Sequence, residues 1–239
     1  MLFLYHIIIF IITAFSPVII FFRILKNKED RKRYIEKFSI FSKKRVKGKL
    51  IWFHGASVGE ILSIVPLIKN YEKNNSISQI LVTSSTLSSS KVLKKFKFKK
   101  TVHQFYPIDN LFLTNKFLKF WKPCMAVFVD SEIWPCMYNN INNQKIPLIL
   151  LNARITKKTF KRWMTLRYFA RSIFNKITIA YPQNLETAQY LKILKANNIS
   201  NLGNLKFAEN FEENLEKINV YLNKALKKKK IWVASSTHR

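Results

Sequence analysis

The ten residues Ile51-Trp52-Phe53-His54-Gly55-Ala56-Ser57-Val58-Gly59-Glu60 hold the residue types most suited to chemistry in this chain. An apolar run ends in a small-residue turn, and the turn opens into a helix start. Gly55 and Gly59 permit a tight turn and let a ligand approach the backbone. Ser57 followed three residues later by Glu60 matches a capping box, with Ser at the N-cap and Glu at N3. That pairing has two readings. Both side chains finish the helix end, or Glu60, held ionised by the helix dipole, faces a ligand at the strand end as a general base.

The same residues admit a rival chemistry. Gly55-Ala56-Ser57-Val58-Gly59 matches G-x-S-x-G, the nucleophile elbow of α/β hydrolases, in a strand–turn–helix setting. Ser57, then Asp109 or Asp130, then His238 follows the chain order of such a triad. Against an esterase, this turn comes after the first strand, whereas a hydrolase elbow lies deeper in its sheet. His238 is also the penultimate residue, a poor support for a catalytic imidazole.

The elements that must hold these residues read as a doubly wound α/β sheet. Apolar runs at Leu50–Phe53, Ile80–Thr83, Val102–Tyr106, Ala126–Val129, Pro147–Leu151, Ile177–Tyr181 and, weakly, Ile199–Leu202 predict strands. Helical patterns at Ile61–Tyr71, Leu111–Trp121, Lys158–Phe174 and Leu185–Leu194 lie between them. Short apolar runs separated by helices indicate parallel strands with crossovers. Ligands gather at the carboxyl ends of such strands, so the loops after Phe53, Thr83, Tyr106, Val129 and Leu151 are the places to search.

Composition divides the chain into four segments. Residues 1–22 carry no charged side chain and reach roughly the ~30 Å of a hydrocarbon core, so they read as a membrane anchor. A cleaved signal peptide would show a basic start and a small-residue cleavage site, and neither is present. Residues 23–49 hold twelve Lys or Arg against three acids, a basic juxtamembrane segment that keeps the rest of the chain on the cytoplasmic side. Pro17 leaves a shallow, monotopic insertion open beside a full span. Residues 50–226 read as the Rossmann-like domain, and residues 227–239 as a linker and a strand that either pairs at a sheet edge or is the first of a second domain.

The chain carries 42 Lys and Arg against 13 Asp and Glu, a net charge of +29. Such a surplus favours anionic partners, either nucleic acid or an acidic membrane face. A lysine-rich compositional bias accounts for the same numbers. The densest basic run abuts the apolar anchor and no nucleic-acid motif appears, so no nucleic-acid partner is expected. Cys124 and Cys136 match neither a disulfide framework nor a zinc site.

With these features in place, the chain resembles the 3-deoxy-D-manno-octulosonic acid (Kdo) transferases, a family of GT-B glycosyltransferases. His54 to Glu60 is similar to that family's H-x-x-S-V-G-E signature, and six further stretches come in its order. These are Thr83-Ser84-Ser85-Thr86, Tyr106-Pro107-Ile108-Asp109, Asp130-Ser131-Glu132-Ile133-Trp134-Pro135, Asn152-Ala153-Arg154, Leu202-Gly203-Asn204-Leu205-Lys206-Phe207 and Ala234-Ser235-Ser236-Thr237-His238. Asp130 departs from the family's usual Glu, which shortens that carboxylate by one methylene.

The resemblance implies inverting transfer of Kdo from CMP-Kdo to lipid IVA at the inner membrane, facing the cytoplasm, with no cofactor and no metal. By matching position it makes Glu60 the general base. Ser57, Gly59, Thr83, Glu132, Asn152, Arg154 and Lys206 become substrate-binding, and Ser236 and Thr237 donor-side. Bland alternatives stand beside these: a Glu132–Arg154 ion pair, and Asn152 as a helix cap. It also implies that the second, CMP-binding domain is essentially missing. The polypeptide alone would then bind lipid and transfer little Kdo unless a separate polypeptide supplied the missing half.

Overall fold

The computed structural model describes residues 2–201. The chain divides into a compact unit, Met1–Lys206, and a second unit, Phe207–Arg239. The second unit lies outside the described residues. So do Lys206, Ser236, Thr237 and His238, and the elements expected beyond residue 201.

Six parallel strands form one sheet: β1 (Leu50–His54), β2 (Gln79–Ser84), β3 (Thr101–Phe105), β4 (Met125–Val129), β5 (Leu148–Ala153) and β6 (Ile179–Pro182). Their spatial order is β3-β2-β1-β4-β5-β6, so the chain reverses direction across the sheet between β1 and β4. The expected doubly wound architecture is therefore present. Among the described residues, the weak seventh run contributes a single bridge, Ala180 to Ile199.

Strand alternation explains the two layers. Trp52 points into a core with Phe117, Trp121, Phe128 and Tyr138, while its neighbours Ile51 and Phe53 point into the opposite core with Ile61, Ile64 and Ile68. A strand buried on both faces reads as a continuous apolar run, which is why β1 and β2 are legible without alternation. Helices cover both faces: α2 (Val58–Lys73), α3 (Leu87–Lys94), α4 (Leu111–Trp121), α5 (Pro135–Asn143), α6 (Lys157–Thr165), α7 (Arg167–Phe174) and α8 (Leu185–Ile193).

The single helix expected over Lys158–Phe174 is two. Leu166 leaves helical geometry at φ −119° and ψ 51°, separating α6 from α7. The apolar stripe of α6 (Phe160, Trp163, Met164) and that of α7 (Phe169, Ile173, Phe174) would lie about 100° apart on one straight helix. The break re-phases them, so both stripes reach the same core.

The N-terminal segment is a helix, α1 (Leu2–Leu25), slightly longer than the apolar stretch suggests. The basic segment after it packs on the sheet edge. Arg33 donates to the His103 carbonyl at 2.8 Å and to its Nδ1 at 3.0 Å, and Glu36 accepts from Phe105 N–H at 2.7 Å. Because Arg33 can only donate, His103 Nδ1 accepts, and Nε2 carries the proton toward Ser84 Oγ at 2.8 Å.

Burial, together with Arg33, Lys94 and Lys43, pushes the His103 imidazole down to about 3. Its folded value lies below its unfolded value of about 6.5, so the fold is favoured above pH 6.5. That contribution is lost as pH falls toward 3, at roughly 1.4 kcal/mol per unit. Urea unfolding at pH 7 and pH 4 should show the loss, and His103→Gln should make the fall shallower.

Candidate functional site

The turn after β1 is built as its sequence spacing suggests. Ser57 sits at the N-cap of α2 in extended geometry and its Oγ accepts from Glu60 N–H at 3.3 Å. Glu60 folds back: one carboxylate oxygen accepts from Ala56 N–H and the other from Ser57 Oγ–H, both at 2.7 Å. Gly55 makes room for this return, since a Cβ there would meet Glu60 Cβ at 3.0 Å. The capping box and an outward-facing carboxylate therefore coexist. Glu60 is half-buried and borders a cleft of about 240 Å³.

That cleft lies where the strand order reverses, the place where open α/β sheets bind ligands. Ser57, Gly59, Glu60 and Ser63 supply the β1 side, Val129 and Asp130 the β4 side, and Asn152 and Arg154 the β5 side. Of the residues singled out in the sequence, Ser57, Gly59, Glu60, Asn152 and Arg154 thus come together. Asp130 and Ser63 join them; the sequence marks Asp130 only as a departure from the family pattern and as a triad candidate.

Backbone geometry at the cleft is unusual at two adjacent strand ends. Asp130 has φ 62° and Asn152 φ 52°, left-handed values that Asp and Asn tolerate better than other side chains do. Between Leu150 and Ala153, the stretch that holds Asn152, the β5–β6 register shifts. Arg154 N–H donates to the Asp130 carbonyl at 3.2 Å and Ser131 Oγ to the Arg154 carbonyl at 2.8 Å, tying the two loops together. Asn152 is not a helix cap; Thr156 caps α6.

Thr83 and Glu132 do not line this cleft. Thr83 is fully buried, its hydroxyl taking Trp52 Nε1–H at 2.9 Å and lying 2.9 Å from His54 Nδ1, so it stands behind the site and does not reach a ligand. Glu132 pairs with His54 Nε2 at 3.0 Å and with Trp134 Nε1 at 2.8 Å, in place of the ion pair with Arg154 that spacing allows. Burial works to raise the Glu132 carboxyl, but its contact with His54 and the Trp134 hydrogen bond hold it below its ordinary value. His54 links the two, stacked on Tyr106 at 4.0 Å. The sequence places His54 within a motif without giving it a role; a histidine ending a fully buried strand is the available signal.

The hydrolase arrangement is not favoured. Ser57 Oγ–H is engaged by Glu60, and buried Asp109 accepts from Cys136 N–H, Met137 N–H and the Tyr5 hydroxyl. Asp109 thereby anchors α5 and α1.

At Gly59 the expectation of a turn glycine needs correcting. The residue lies in the first turn of α2, and a Cβ there would meet nothing within 4 Å, so the turn itself does not require glycine. Gly59→Ala should leave stability within about 1 kcal/mol of the parent or raise it. If a ligand approaches this backbone, the added methyl should weaken its binding several-fold with little change in Tm. Thermal unfolding and ligand titration of the variant separate the two effects.

Residues 32–209 match the profile of a family described as 3-Deoxy-D-manno-octulosonic-acid transferase (kdotransferase). The chain is 37% identical to the 3-deoxy-D-manno-octulosonic acid transferase of Rickettsia bellii, over 98% of this chain and 56% of that protein. It is 35% identical to the enzyme of the same description in Rickettsia felis, over 100% of this chain and 61% of that protein. The chain therefore spans somewhat over half the length of these relatives. A crystal structure of UDP-GlcNAc 2-epimerase from Neisseria meningitidis superposes with a TM-score of 0.50 at 14% identity, covering 74% of this chain and 52% of that one. At that identity the likeness is one of fold.

Proposed function

Because the chain belongs to the Kdo transferase family of glycosyltransferases, we propose that its cleft binds the acceptor in Kdo transfer from CMP-Kdo to lipid IVA, with Glu60 as the general base. The observation that carries this is the position of the Glu60 carboxylate, at the sheet's switch point and facing a cleft shared with Asn152 and Arg154. In the reaction, a lipid IVA hydroxyl gives its proton to Glu60 as its oxygen attacks the anomeric carbon of Kdo. The bond from that carbon to the CMP phosphate breaks, CMP departs with the electron pair, and the configuration inverts.

The surroundings of Glu60 suit that task. Ala56 N–H and Ser57 Oγ–H hold the carboxylate in one orientation while each oxygen keeps a lone pair for the incoming proton. Arg154 is exposed at the cleft and supplies a cation for an anionic group of either substrate. The protein's positive charge and its apolar N-terminal helix, long enough to cross a membrane, suit an acceptor that resides in an anionic leaflet.

The test uses membranes of the cells that make this chain, where any companion polypeptide is retained. CMP-Kdo and radiolabelled lipid IVA should yield a Kdo-bearing lipid in proportion to the amount of the chain. Immunodepletion of the chain should remove that activity. Formation of the product at an unchanged rate after depletion would overturn the assignment, as would failure of the purified chain to bind lipid IVA.

A further inference from the structure

We propose that α1 lies in the plane of the membrane surface, lodged lengthwise between the domain and an anionic phospholipid leaflet, and does not cross the bilayer. This rests on the membrane reading above and not on the sugar chemistry.

One face of α1 is attached to the domain from Tyr5 to Arg23. Tyr5, Thr13, Ser16, Ile20 and Arg23 fall on a single helical stripe and are buried or half-buried. Tyr5 donates its hydroxyl to Asp109 at 2.8 Å and packs its ring on Phe169 at 5.7 Å. Midway, Asn110 Nδ2 donates to Thr13 Oγ1 at 3.4 Å. At the other end Arg23 pairs with Glu29 at 2.7 Å, and Lys37 holds the same carboxylate at 2.6 Å. The Lys37 carbonyl in turn accepts from Ile108 N–H in the loop after β3.

These contacts conflict with a span. Tyr5 and Arg23 are about 27 Å apart along a helix rising 1.5 Å per residue, close to the ~30 Å thickness of a hydrocarbon core. A transmembrane α1 would carry Tyr5 to the face opposite Arg23, away from a domain that both ends touch. Only a helix parallel to the surface keeps Tyr5 on Asp109 and Thr13 on Asn110 while its C-terminal end runs on into the segment packed on the sheet edge.

The remaining face identifies the occupant. Ile7, Ile11, Phe15, Val18, Phe22 and Leu25 repeat the buried stripe's spacing on the opposite side and are 41%, 50%, 63%, 55%, 56% and 59% exposed. No charged side chain occurs from residue 2 to residue 22. Apolar area of this extent on one face fits acyl chains. Phe112, 78% exposed, extends it beside the groove formed with Ile7, Ile9 and Phe10. At the C-terminal end, Arg23, Lys28 and Lys91 line a cleft of about 400 Å³, at the level where lipid phosphates would meet them.

This placement brings the leaflet to the reactive turn. The cleft's Thr86, and Ser89 one turn along α3, aim their hydroxyls at the Ala56 carbonyl at 3.4 and 3.2 Å, and Ala56 N–H orients Glu60. The geometry suits an acceptor that stays embedded by its acyl chains while its sugar reaches the base.

The experiment compares sealed inverted vesicles with spheroplasts, using the full chain carrying an N-terminal epitope tag. In-plane α1 predicts that protease removes the tag and cuts the basic segment 23–49 from the same side. A second arm places Thr13→Cys and Asn110→Cys in a Cys124→Ser background and oxidises the membranes with copper phenanthroline. A disulfide between the two cysteines is expected. A tag cleaved only from the side opposite the basic segment, or cysteines that stay reduced in protein of parental protease resistance, overturns the proposal. Recovery of the tagged chain wholly in the soluble fraction would instead overturn the membrane reading itself.

Discussion

Glu60→Gln should lower the rate of the proposed Kdo transfer by about 10²–10⁴, the usual consequence of removing a positioned general base. The substitution keeps the side chain's shape, and its amide oxygen can still accept from Ala56 N–H or Ser57 Oγ–H, where the carboxylate now takes both at 2.7 Å. What it removes is the capacity to take a proton. Acceptor affinity should therefore stay within a few-fold while kcat falls. Because the capping contact is partly retained, Tm should fall by only a few degrees. Ser57→Ala provides the contrast: loss of an N-cap costs about 1 kcal/mol of stability, with a smaller kinetic effect through the orientation of Glu60. A rate in Glu60→Gln within threefold of the parent would reduce Glu60 to a helix cap.

Legibility in the sequence has a physical cause at each element. β1, β2 and β4 are legible because strands covered on both faces must be apolar at nearly every position, and the run itself is the signal. α4 is legible to the residue because Asn110 caps it and Lys122, at φ 44°, ends it. The division of α6 from α7 is not, because a phase shift of one residue in an apolar stripe barely alters its periodicity.

The site divides along similar lines. Ser57 and Glu60 sit three apart in one turn, a local relation that spacing reports directly. Asn152 and Arg154 reach the same cleft from a strand two positions along the sheet, which requires the resemblance to identify and the strand order to place. Thr83 cannot be assigned from sequence, because a strand-end hydroxyl serves a ligand or an internal network equally well. Here Trp52 and His54 lie on it. Nor does the apolar run of α1 distinguish a span from a surface helix. Its length and composition suit both, and the difference lies in what Tyr5 and Thr13 touch.

Glu36→Ala should destabilise the domain by about 3–5 kcal/mol, the range for breaking a buried ion pair by removing one partner. Glu36 is fully buried in a segment that composition alone marks as a basic collar. Its carboxylate accepts from Arg33 Nε and Nη2 at 2.8 and 2.9 Å, from Phe105 N–H at 2.7 Å, and from the Ser42 hydroxyl. Removing it takes the carboxylate from two kinds of donor at once, leaving Arg33 only its hydrogen-bond contacts with His103. Arg33 is only 16% exposed and its guanidinium, 4.9 Å from the centre of the Phe105 ring, keeps its charge, while the Phe105 N–H loses its acceptor at the edge of β3. Since a domain of this kind has only about 5–15 kcal/mol of total stability, the loss should shift the urea midpoint strongly. Lys32→Ala, an exposed cation in the same segment, should change stability by no more than about 0.5 kcal/mol. If the two variants unfold at the same urea concentration, residues 23–49 are a solvated collar after all, and the edge of β3 is held by something other than Glu36.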